Sequence, residues 1–545
     1  MSDDRTPSER ADVCIVGAGP AGALVARSLA ERGHDVVVLE AGPRFDEDGR
    51  DRRVERSIRP AHDPSSVWDV GGDRDAYTSS GPRFYPLNRA RVKGVGGSTL
   101  HWQGLVMRLH ESDFETRSRH GVASDWPFDY GTLRRYYARA ETTLGVAGAS
   151  DNPFGPPREE AHPLPPFPPS HSDAIFAEAC DRLGVAMHSV PNARNSVAHD
   201  GASRCVGYGT CKPVCPSGAK YDATRTVEAA VEAGARVIDR APVQRLEHDR
   251  SGKTVEAAAY ATPDGETHRQ TARRFVVAAG GVETPRLLLL SKSRAHPDGL
   301  ANSSGAVGRY FMDHLFAGTG GCIDRPTRQN HVGFLTSETH QFYDDPTAGT
   351  GEGIPPADAD RSAFTPLKLE FFNYAGPSPV ELALDAEQWG DDLLESLRAT
   401  YGNGIAVGGL VGQRPRAENY VGLDTTRTDD HGNPVPEIHW GIDDATRRTI
   451  RRANEIQEAI LAELDAEVTW QVGPGDTGPA FHHMGTTRMG TDPDDSVVSP
   501  RLRTHDLENL WIAGSSTFVT GGGVNPTLTV AALAIKAADH VAETL

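Results

Sequence analysis

The residues best suited to chemistry stand near the end of the chain, in the segments HHMGTTRMG and NLWIAGSSTFVTGGGVNPTLTVAALA. His482 opens the first segment, and the ordinary pKa of an imidazole lets it accept a proton near neutral pH. Asn525 lies in the second segment, where a neutral amide can hold an oxygen atom without competing for that proton. We therefore predict His482 as a general base and Asn525 as its oxygen-binding partner, with His483 as the competing base.

The elements around Asn525 indicate how it is positioned. Residues 510–513 read as a short apolar strand, and the glycines at 521–523 as a turn where backbone can approach a flat ligand. Asn525 and Pro526 are typical of a helix start, and apolar residues at helical spacing follow them. The free amides of a helix start attract negative charge. The alternative for Asn525 is that it serves only as the helix cap.

A second glycine motif lies near the start of the chain. Gly17, Gly19 and Gly22 form G-x-G-x-x-G between an apolar strand at 13–16 and a helix predicted over 21–32. A further apolar strand at 36–39 ends at Glu40, whose carboxylate can bond a ribose hydroxyl. The pattern predicts a dinucleotide-binding unit, and the alternative is a glycine-rich turn without a ligand.

A third feature is a cysteine loop. Cys205, Cys211 and Cys215 fall within one short segment that ends in Pro216. Thiolates this close in sequence can reach one metal centre, and a proline after the last cysteine is typical of ferredoxin segments. The spacing favours a metal site. Reduced structural thiols are the alternative.

Composition restricts the partners. The 545 residues carry a net charge of −19, which argues against nucleic acid or an anionic membrane as a partner. No signal peptide and no run long enough to span a membrane is visible, so we expect a cytoplasmic protein. Acidic residues are abundant and lysine is scarce beside arginine, which fits a halophilic cytoplasm; a GC-rich genome would also raise arginine over lysine.

The order of elements predicts discontinuous domains. Helices are expected over 130–144, 172–183, 384–400 and 445–464, and a strand meander over 236–276. The nucleotide-binding elements are separated by long intervening segments. One domain must therefore be assembled from several parts of the chain.

With these residues in hand, the chain resembles the glucose–methanol–choline (GMC) oxidoreductases over nearly its full length. The matching blocks are VCIVGAGPAGALVA, KGVGGSTLHW, FVVAAGGVETPRLLLLS, HHMGTTRMG and NLWIAGSSTFVTGGGVNPTLTVAALA. The resemblance implies an α/β fold: a discontinuous Rossmann-like FAD-binding domain (1–110, 200–300 and 481–545) and a substrate-binding α+β domain on an antiparallel sheet (111–199 and 301–480). It is nearest to sugar and polyol dehydrogenases and to pyranose oxidases.

The same resemblance implies site residues. His482 and Asn525 match the catalytic pair of the family. The implied FAD contacts are Gly17, Gly19, Gly22, Glu40, Gly96, Gly97, Ser98, His101, Val243, Gly514, Asn525 and Pro526. His101 matches a histidine that pyranose oxidases bond covalently to the flavin, although relatives with the same motif bind FAD without that bond. Gly514 begins Gly-Ser-Ser, where many relatives carry an acidic residue.

The cysteine loop resembles that of sugar dehydrogenases that hold a three-iron cluster. The resemblance implies Cys205, Cys211 and Cys215 as ligands of a [3Fe–4S] cluster that passes electrons from the flavin to an external acceptor. It also implies a small or cytochrome partner subunit. Cluster-free GMC enzymes keep cysteines in a similar loop, so structural thiols stay the alternative.

The sequence thus predicts FAD-dependent oxidation of a CH–OH group of a sugar or polyol, with an electron acceptor other than oxygen. An oxidase that uses oxygen is the near alternative. Alternatives from another class are a nicotinamide-binding protein and a non-catalytic flavoprotein electron carrier. An electron carrier would need neither the base nor the amide. The sequence does not identify the small-molecule substrate.

Overall fold

A computed structural model describes residues 5–45, 49–57, 67–68, 75–89, 91–327, 333–348, 353–357, 360–373 and 379–545. Its strands are β1 (Ala11–Val16), β2 (Val36–Leu39), β3 (Thr78–Ser80), β4 (His188–Ser189), β5 (Arg236–Ile238), β6 (Val243–His248), β7 (Val255–Ala261), β8 (Thr267–Val277), β9 (Leu315–Cys322), β10 (Leu335–Thr339), β11 (Leu367–Phe372), β12 (Gly404–Val411), β13 (Tyr420–Thr428), β14 (Pro434–His439), β15 (Glu467–Val472) and β16 (Leu510–Ile512).

The described α-helices are α1 (Pro20–Ala30), α2 (Arg50–Ser57), α3 (Glu111–Phe114), α4 (Thr116–His120), α5 (Tyr130–Leu144), α6 (His171–Leu183), α7 (Thr224–Glu232), α8 (Gly280–Leu290), α9 (Pro379–Asp385), α10 (Asp391–Thr400), α11 (Asp444–Ala462) and α12 (Thr527–Ala542). Short 3₁₀ turns occupy Leu87–Arg89, Gly97–Leu100, Arg361–Ala363 and Ser515–Thr517. None of these helices is both long and apolar enough to cross a membrane.

The first sheet has a parallel half and an antiparallel half. Strands β5, β2, β1 and β8 lie side by side in parallel, and β16 pairs with β8 in parallel. The same β8 also pairs antiparallel with β7, and β7 with β6. Apolar runs such as VVVL in β2 are buried at every position because helices cover the parallel half. This arrangement is the Rossmann-like fold expected from the sequence.

The second sheet is antiparallel and has six strands in the order β15-β9-β12-β11-β10-β4. Helices α6 and α11 pack against it, and their apolar faces share a core with β9, β11 and β12. Small residues fill β12, GIAVGGLV, and all of its positions are buried. The strands of each of these two sheets come from the segments assigned to one domain, so the sheets agree with the α/β plus α+β prediction. A third sheet of β13, β14 and β3 differs, because β3 comes from the segment assigned to the FAD-binding domain and pairs with β14 from the other. The domain boundaries stay predictions.

Several predicted helices are confirmed and one is not. Helix α5 spans the predicted 130–144, and α6 and α11 begin one residue before their predicted starts. The single helix expected over 384–400 is wrong, because α9 ends at Asp385 and α10 begins after Gly390, whose φ is 68°. A left-handed glycine cannot continue a right-handed helix, so the segment is divided there.

The start of the last helix also differs from the prediction. Pro526 takes the N-cap position of α12 and no side chain caps it, so Asn525 is not the helix cap. The amide oxygen of Asn525 is buried and has no hydrogen-bond partner among the described residues. The side chain is therefore available to a ligand.

Candidate active site

One large cavity of about 890 Å³ opens at the carboxyl ends of the parallel strands. Val16 of β1, Leu39 of β2, Ala278 after β8 and Ala513 after β16 all contribute to its wall. Ligands of doubly wound α/β sheets bind at this edge. The predicted residues that line the cavity are Gly17, Gly19, Glu40, Gly97, Ser98, His101, Val243, His482, Gly514, Asn525 and Pro526.

The glycine motif is shaped for close backbone contact. Gly17 has a φ of +102°, and a Cβ there would lie 2.7 Å from the carbonyl oxygen of Ala278. A Cβ on Gly22 would lie 1.9 Å from the carbonyl oxygen of Gly17, so this glycine holds α1 against the turn rather than lining the cavity. Gly19 differs, because its nearest neighbour would be 4.0 Å away and its open side faces the cavity.

Glu40 closes the other side of this turn. One carboxylate oxygen accepts from the backbone N–H of Ala18 at 2.7 Å and the other from Gly42 at 3.0 Å. Burial raises the pKa of Glu40 against these hydrogen bonds. The carboxylate thus fixes the glycine turn, and each oxygen keeps a lone pair for a hydroxyl group of a ligand.

The predicted base is held by a second histidine. Nδ1 of His482 lies 2.9 Å from Nδ1 of His314. Nε2 of His314 lies 3.1 Å and 3.0 Å from the carbonyl oxygens of Gly521 and Gly522. Because carbonyl oxygens only accept, the ring proton of His314 is on Nε2, and its Nδ1 must accept.

The tautomer of His482 follows from that contact. Its Nδ1 carries the ring proton and donates to His314, so Nε2 has the free lone pair. Within the described part of the chain, this Nε2 has no hydrogen bond. Burial lowers the pKa of His482 well below its ordinary value and that of His314 to about 4. Both rings are neutral at neutral pH, and Nε2 of His482 can accept a proton.

A buried aspartate positions the backbone of both histidines. One oxygen of Asp313 accepts the backbone N–H of His314 and of His482, each at 2.7 Å. The hydroxyl of Tyr85 donates to its other oxygen. Phe481, next to His482, has a φ of 67°, a conformation that side chains with a Cβ rarely adopt. The surrounding hydrogen bonds hold this turn and so aim His482.

The competing base, His483, lies in the same cavity. Its ring packs near Tyr85 and Phe311, with centroids 5.7 Å and 6.1 Å away, and its Nε2 is buried without a partner among the described residues. Burial lowers its pKa to about 3. No neighbouring histidine fixes its tautomer as His314 fixes that of His482. The assignment of the base to His482 stays a prediction.

The remaining predicted contacts fall around the cavity wall. Gly97 and Ser98 begin the 3₁₀ turn that ends beside His101, and the Ser98 hydroxyl accepts from the backbone of Val92 at 3.2 Å. Gly96, with a φ of +100°, supports this turn but does not line the cavity. His101 lines the cavity, and the two expectations for it, a covalent bond to the flavin and binding without that bond, both stay open.

The cysteine loop lies beside this turn. Lys220 is completely buried, and its Nζ donates to the carbonyls of Leu100, Trp102 and Cys211 at 3.1, 2.7 and 2.9 Å. Cys211 is buried, and Cys205 and Cys215 are half-buried. Over the described residues, these sulfurs do not form a group within 4.8 Å of one another, as ligands of a single ion would. The larger three-iron cluster stays a prediction.

Sequence reasoning missed His314, Asp313 and a group of charges on the cavity wall. Glu283 lies 2.5 Å from Arg91, 3.3 Å from Lys93 and 3.1 Å from Arg286. These cations hold the pKa of Glu283 well below its ordinary value despite burial. Asp313 and His314 lie in none of the sequence blocks quoted above. Glu283 and Arg286 are three residues apart on α8, but Arg91 and Lys93 reach Glu283 from a distant segment, which only the fold reveals.

Comparison with known proteins agrees with this arrangement. The chain matches the models of the GMC oxidoreductase family over residues 76–316 and 415–534, and that of NAD(P)-binding Rossmann-like domains over residues 15–64. It is 33% identical to the fructose dehydrogenase large subunit of Gluconobacter japonicus, over 97% of each chain. It is 31% identical to 2-methyl-1,2-propanediol dehydrogenase of Mycolicibacterium austroafricanum, over 98% of this chain and 96% of that one.

A solved structure shows the same fold. Pyridoxine 4-oxidase from Mesorbium loti superimposes with a TM-score of 0.63 at 19% identity, over 97% of this chain and 99% of that one. The chain belongs to the GMC oxidoreductase family. It is an FAD-dependent oxidoreductase that acts on alcohol or sugar groups.

The cavity fits FAD. Gly19 would leave its backbone open to a pyrophosphate, the Glu40 carboxylate would accept from a ribose hydroxyl, and the start of α12 would offer backbone amides to a negatively charged part of the cofactor. The buried, unpartnered oxygen of Asn525 marks a polar position that a bound molecule must satisfy.

Proposed function

We propose that this protein is a dehydrogenase that oxidises a CH–OH group of a sugar or polyol and passes the electrons to an acceptor other than oxygen. His482 is the base and Asn525 binds the substrate oxygen. The observation that carries the proposal is the contact between His314 and His482. It leaves the His482 ring neutral, with the lone pair of its Nε2 free in the cavity that Asn525 also lines. A non-catalytic electron carrier has no use for that pair.

The chain's own residues account for the proton. Nε2 of His482 accepts the hydroxyl proton as the O–H bond breaks, and an N–H of the Asn525 amide donates a hydrogen bond to the oxygen that becomes a carbonyl. The carbon loses its hydrogen as a hydride, which carries two electrons. Bound FAD would accept that hydride. His314 stabilises the imidazolium through its Nδ1 acceptor.

The substrate class rests on the relatives. The two dehydrogenases reported above are named for a ketose and for a branched diol, which share vicinal hydroxyl groups. The test is anaerobic titration of the flavin absorbance with fructose, 2-methyl-1,2-propanediol and a panel of sugars and alcohols. At least one polyol should bleach the flavin. If dithionite bleaches it and no polyol does, the proposed substrate class is wrong.

The electron acceptor separates this proposal from the oxidase alternative. The flavin is first reduced with substrate and then mixed with air-saturated buffer or with an artificial quinone in a stopped-flow instrument. A dehydrogenase should be reoxidised by the quinone much faster than by oxygen. Rapid reoxidation by air would identify an oxidase, while leaving the assignment of the base untouched.

We further propose that electrons leave through the cysteine loop to a partner protein. Val206 and Tyr208, next to Cys205, are 58% and 61% exposed, which suits a docking surface beside a redox centre. One relative is named a large subunit, so assembly with a smaller subunit is a reasonable model. Iron and acid-labile sulfide near three and four per FAD would support a [3Fe–4S] cluster; their absence from anaerobically purified protein would refute it.

The setting of the enzyme is also a proposal. The excess of 75 acidic over 56 basic residues and the scarcity of lysine favour a cytoplasm of high salt concentration. Activity and solubility should then be maintained in molar KCl. Precipitation there, with full activity in dilute buffer, would contradict this.

A further inference from the structure

A buried cluster of histidine and glutamate lies in the second sheet, apart from the walls of the cavity. His188 of β4 is the direct cross-strand partner of Glu338 of β10. His340 follows Glu338 by two residues and so projects to the same face. One ligand atom from each of these three side chains lies within 4.8 Å of the other two. The three are 4%, 0% and 3% exposed.

One nitrogen of the cluster has no partner. Nδ1 of His188 lies 3.1 Å from the carbonyl oxygen of Ser189, so the ring proton is on Nδ1. Its Nε2 is a buried lone pair with no hydrogen bond in the described residues. A buried acceptor without a donor destabilises the folded state, so a molecule or ion that binds this lone pair would be stabilising.

The second histidine can present its own lone pair to the same point. Nε2 of His340 lies 3.1 Å from Oε1 of Glu338. Nδ1 of His340 lies 2.9 Å from Nε2 of His110 and 3.2 Å from the Asn152 amide. If the ring proton moves from Nε2 to Nδ1, His110 accepts it in a hydrogen bond and the Asn152 contact is given up. A cation can then take the place of the proton between His340 and Glu338.

The charges around the cluster favour a cation. Lys368 lies 2.8 Å from Oε2 of Glu338 and 2.8 Å from Glu370. The carboxylates of Glu338 and Glu370 and the ammonium of Lys368 sum to one negative charge in a buried region. A bound cation would compensate this charge. Lys368 uses the outer oxygen of Glu338, so Oε1 stays directed at the two imidazoles.

We propose that His188, Glu338 and His340 bind a divalent transition-metal ion, with Zn²⁺ the best match. Two imidazole nitrogens and one carboxylate oxygen are a ligand set that Zn²⁺ takes with an open fourth position. His110 would orient His340 through its hydrogen bond to Nδ1, and Lys368 would orient Glu338 through its hydrogen bond to Oε2.

The ion would join the second sheet to the loop that carries Asn525. His110 stacks on Tyr343 with ring centroids 3.7 Å apart, and the Tyr343 hydroxyl accepts the backbone N–H of Gly523 at 2.6 Å. Gly523 precedes Asn525 by two residues. A metal that fixes His340 and His110 would therefore stabilise, through Tyr343, the glycine turn that positions Asn525 in the cavity.

The test measures metal content of the FAD-loaded protein. The full chain is purified without chelators from zinc-supplemented medium, dialysed against metal-free buffer and analysed by inductively coupled plasma mass spectrometry. We expect about one zinc per FAD. His188→Phe keeps the ring volume but removes the nitrogen, and zinc should fall at least tenfold at unchanged FAD content. The matched control is His248→Phe. His248 is the last residue of β6, its ring nitrogens contact Asp249 and Ser293, and its loss should leave the zinc content unchanged.

Two results would overturn the proposal. One is a wild-type zinc content below about one tenth per FAD after dialysis. The other is an unchanged zinc content in His188→Phe. If His188→Phe does not fold, X-ray absorption at the zinc edge of the wild type decides: we expect nitrogen and oxygen ligands at about 2.0–2.2 Å, whereas a sulfur shell would assign the metal to the cysteines instead.

Discussion

At the scale of single residues, the orientation of the base depends on a contact that spans the chain. His314 and His482 are 168 residues apart, and the carbonyls that fix His314 belong to the glycine turn before Asn525. The sequence predicted His482 and Asn525 from their motif. It could not predict His314, because a ring tautomer is set by partners that only the fold brings together.

A substitution at His314 tests its positioning role. In His314→Phe the ring volume is kept and the acceptor for the Nδ1 proton of His482 is lost, so His482 is no longer held in one tautomer. We expect flavin reduction by substrate to slow by roughly 10²-fold, the lower end of the range for loss of a general base, because His482 itself is still present. His314→Gln, whose side-chain oxygen can accept, should recover part of the rate. Stopped-flow absorbance measures both variants.

The controls for His314 are FAD content and the pH profile. Wild type should lose activity only at pH values below the ordinary histidine pKa, because burial lowers the pKa of His482. His314→Phe should change the pH at which activity is lost on the acid side of the profile, as well as the rate of flavin reduction. A variant with full FAD, wild-type rate and an unchanged acid side of the profile would show that His314 is structural only.

At the scale of elements, the two strand–glycine–helix units were predictable because their sequence signals are local. Apolar runs, glycines with fixed spacing and helical periodicity locate β1, α1, β16 and α12 within a few residues. The cap of α12 was not predictable in this way. Asn525 suits an N-cap by type, yet Pro526 takes the position and the amide is left for the ligand.

The glycine turn between β1 and α1 offers a test that distinguishes an effect on protein packing from an effect on cofactor binding. Gly19→Ala places a methyl group where no protein atom lies closer than 4.0 Å, but on the cavity side. We expect a folded protein whose affinity for FAD is at least tenfold weaker, because the methyl group occupies the approach of the pyrophosphate. Flavin fluorescence titration of the apoprotein measures the affinity, and far-UV circular dichroism the fold.

Gly475→Ala is the matched control for that substitution, because a Cβ at Gly475 meets nothing within 4 Å and lies away from the cavity. It should bind FAD like the wild type. Equal affinity in Gly19→Ala and Gly475→Ala would refute the assignment of the pyrophosphate to this turn.

At the scale of the whole molecule, buried histidines make stability depend on pH. Burial lowers the pKa of His314 to about 4 and that of His340 and His483 to about 3. The unfolded chain takes up these protons near pH 6.5, and the folded chain does not. Unfolding therefore binds protons between pH 6.5 and about 4, and stability falls as the pH falls through this window.

Three buried acids act with the opposite sign. Burial raises the pKa of Glu40, that of Asp113 to about 6 and that of Asp313 to about 7. On acidification the folded state takes up these protons before the unfolded chain does, and it gains stability as the pH falls. The histidines with lowered pKa outnumber them, since His162, His188 and His482 belong to the same group. We expect the urea midpoint to be clearly lower at pH 5 than at pH 7. A midpoint that rises on acidification would contradict this balance.

The central claim is that His482 takes the proton of the substrate alcohol. It is tested most directly by anaerobic single-turnover reduction of the flavin, followed by stopped-flow absorbance, in His482→Ala and His483→Ala proteins matched for FAD content. We predict that His482→Ala slows reduction by about 10²- to 10⁴-fold, as loss of a general base does, while His483→Ala stays within about tenfold of wild type. A wild-type rate in His482→Ala, or the large loss in His483→Ala alone, would contradict the account.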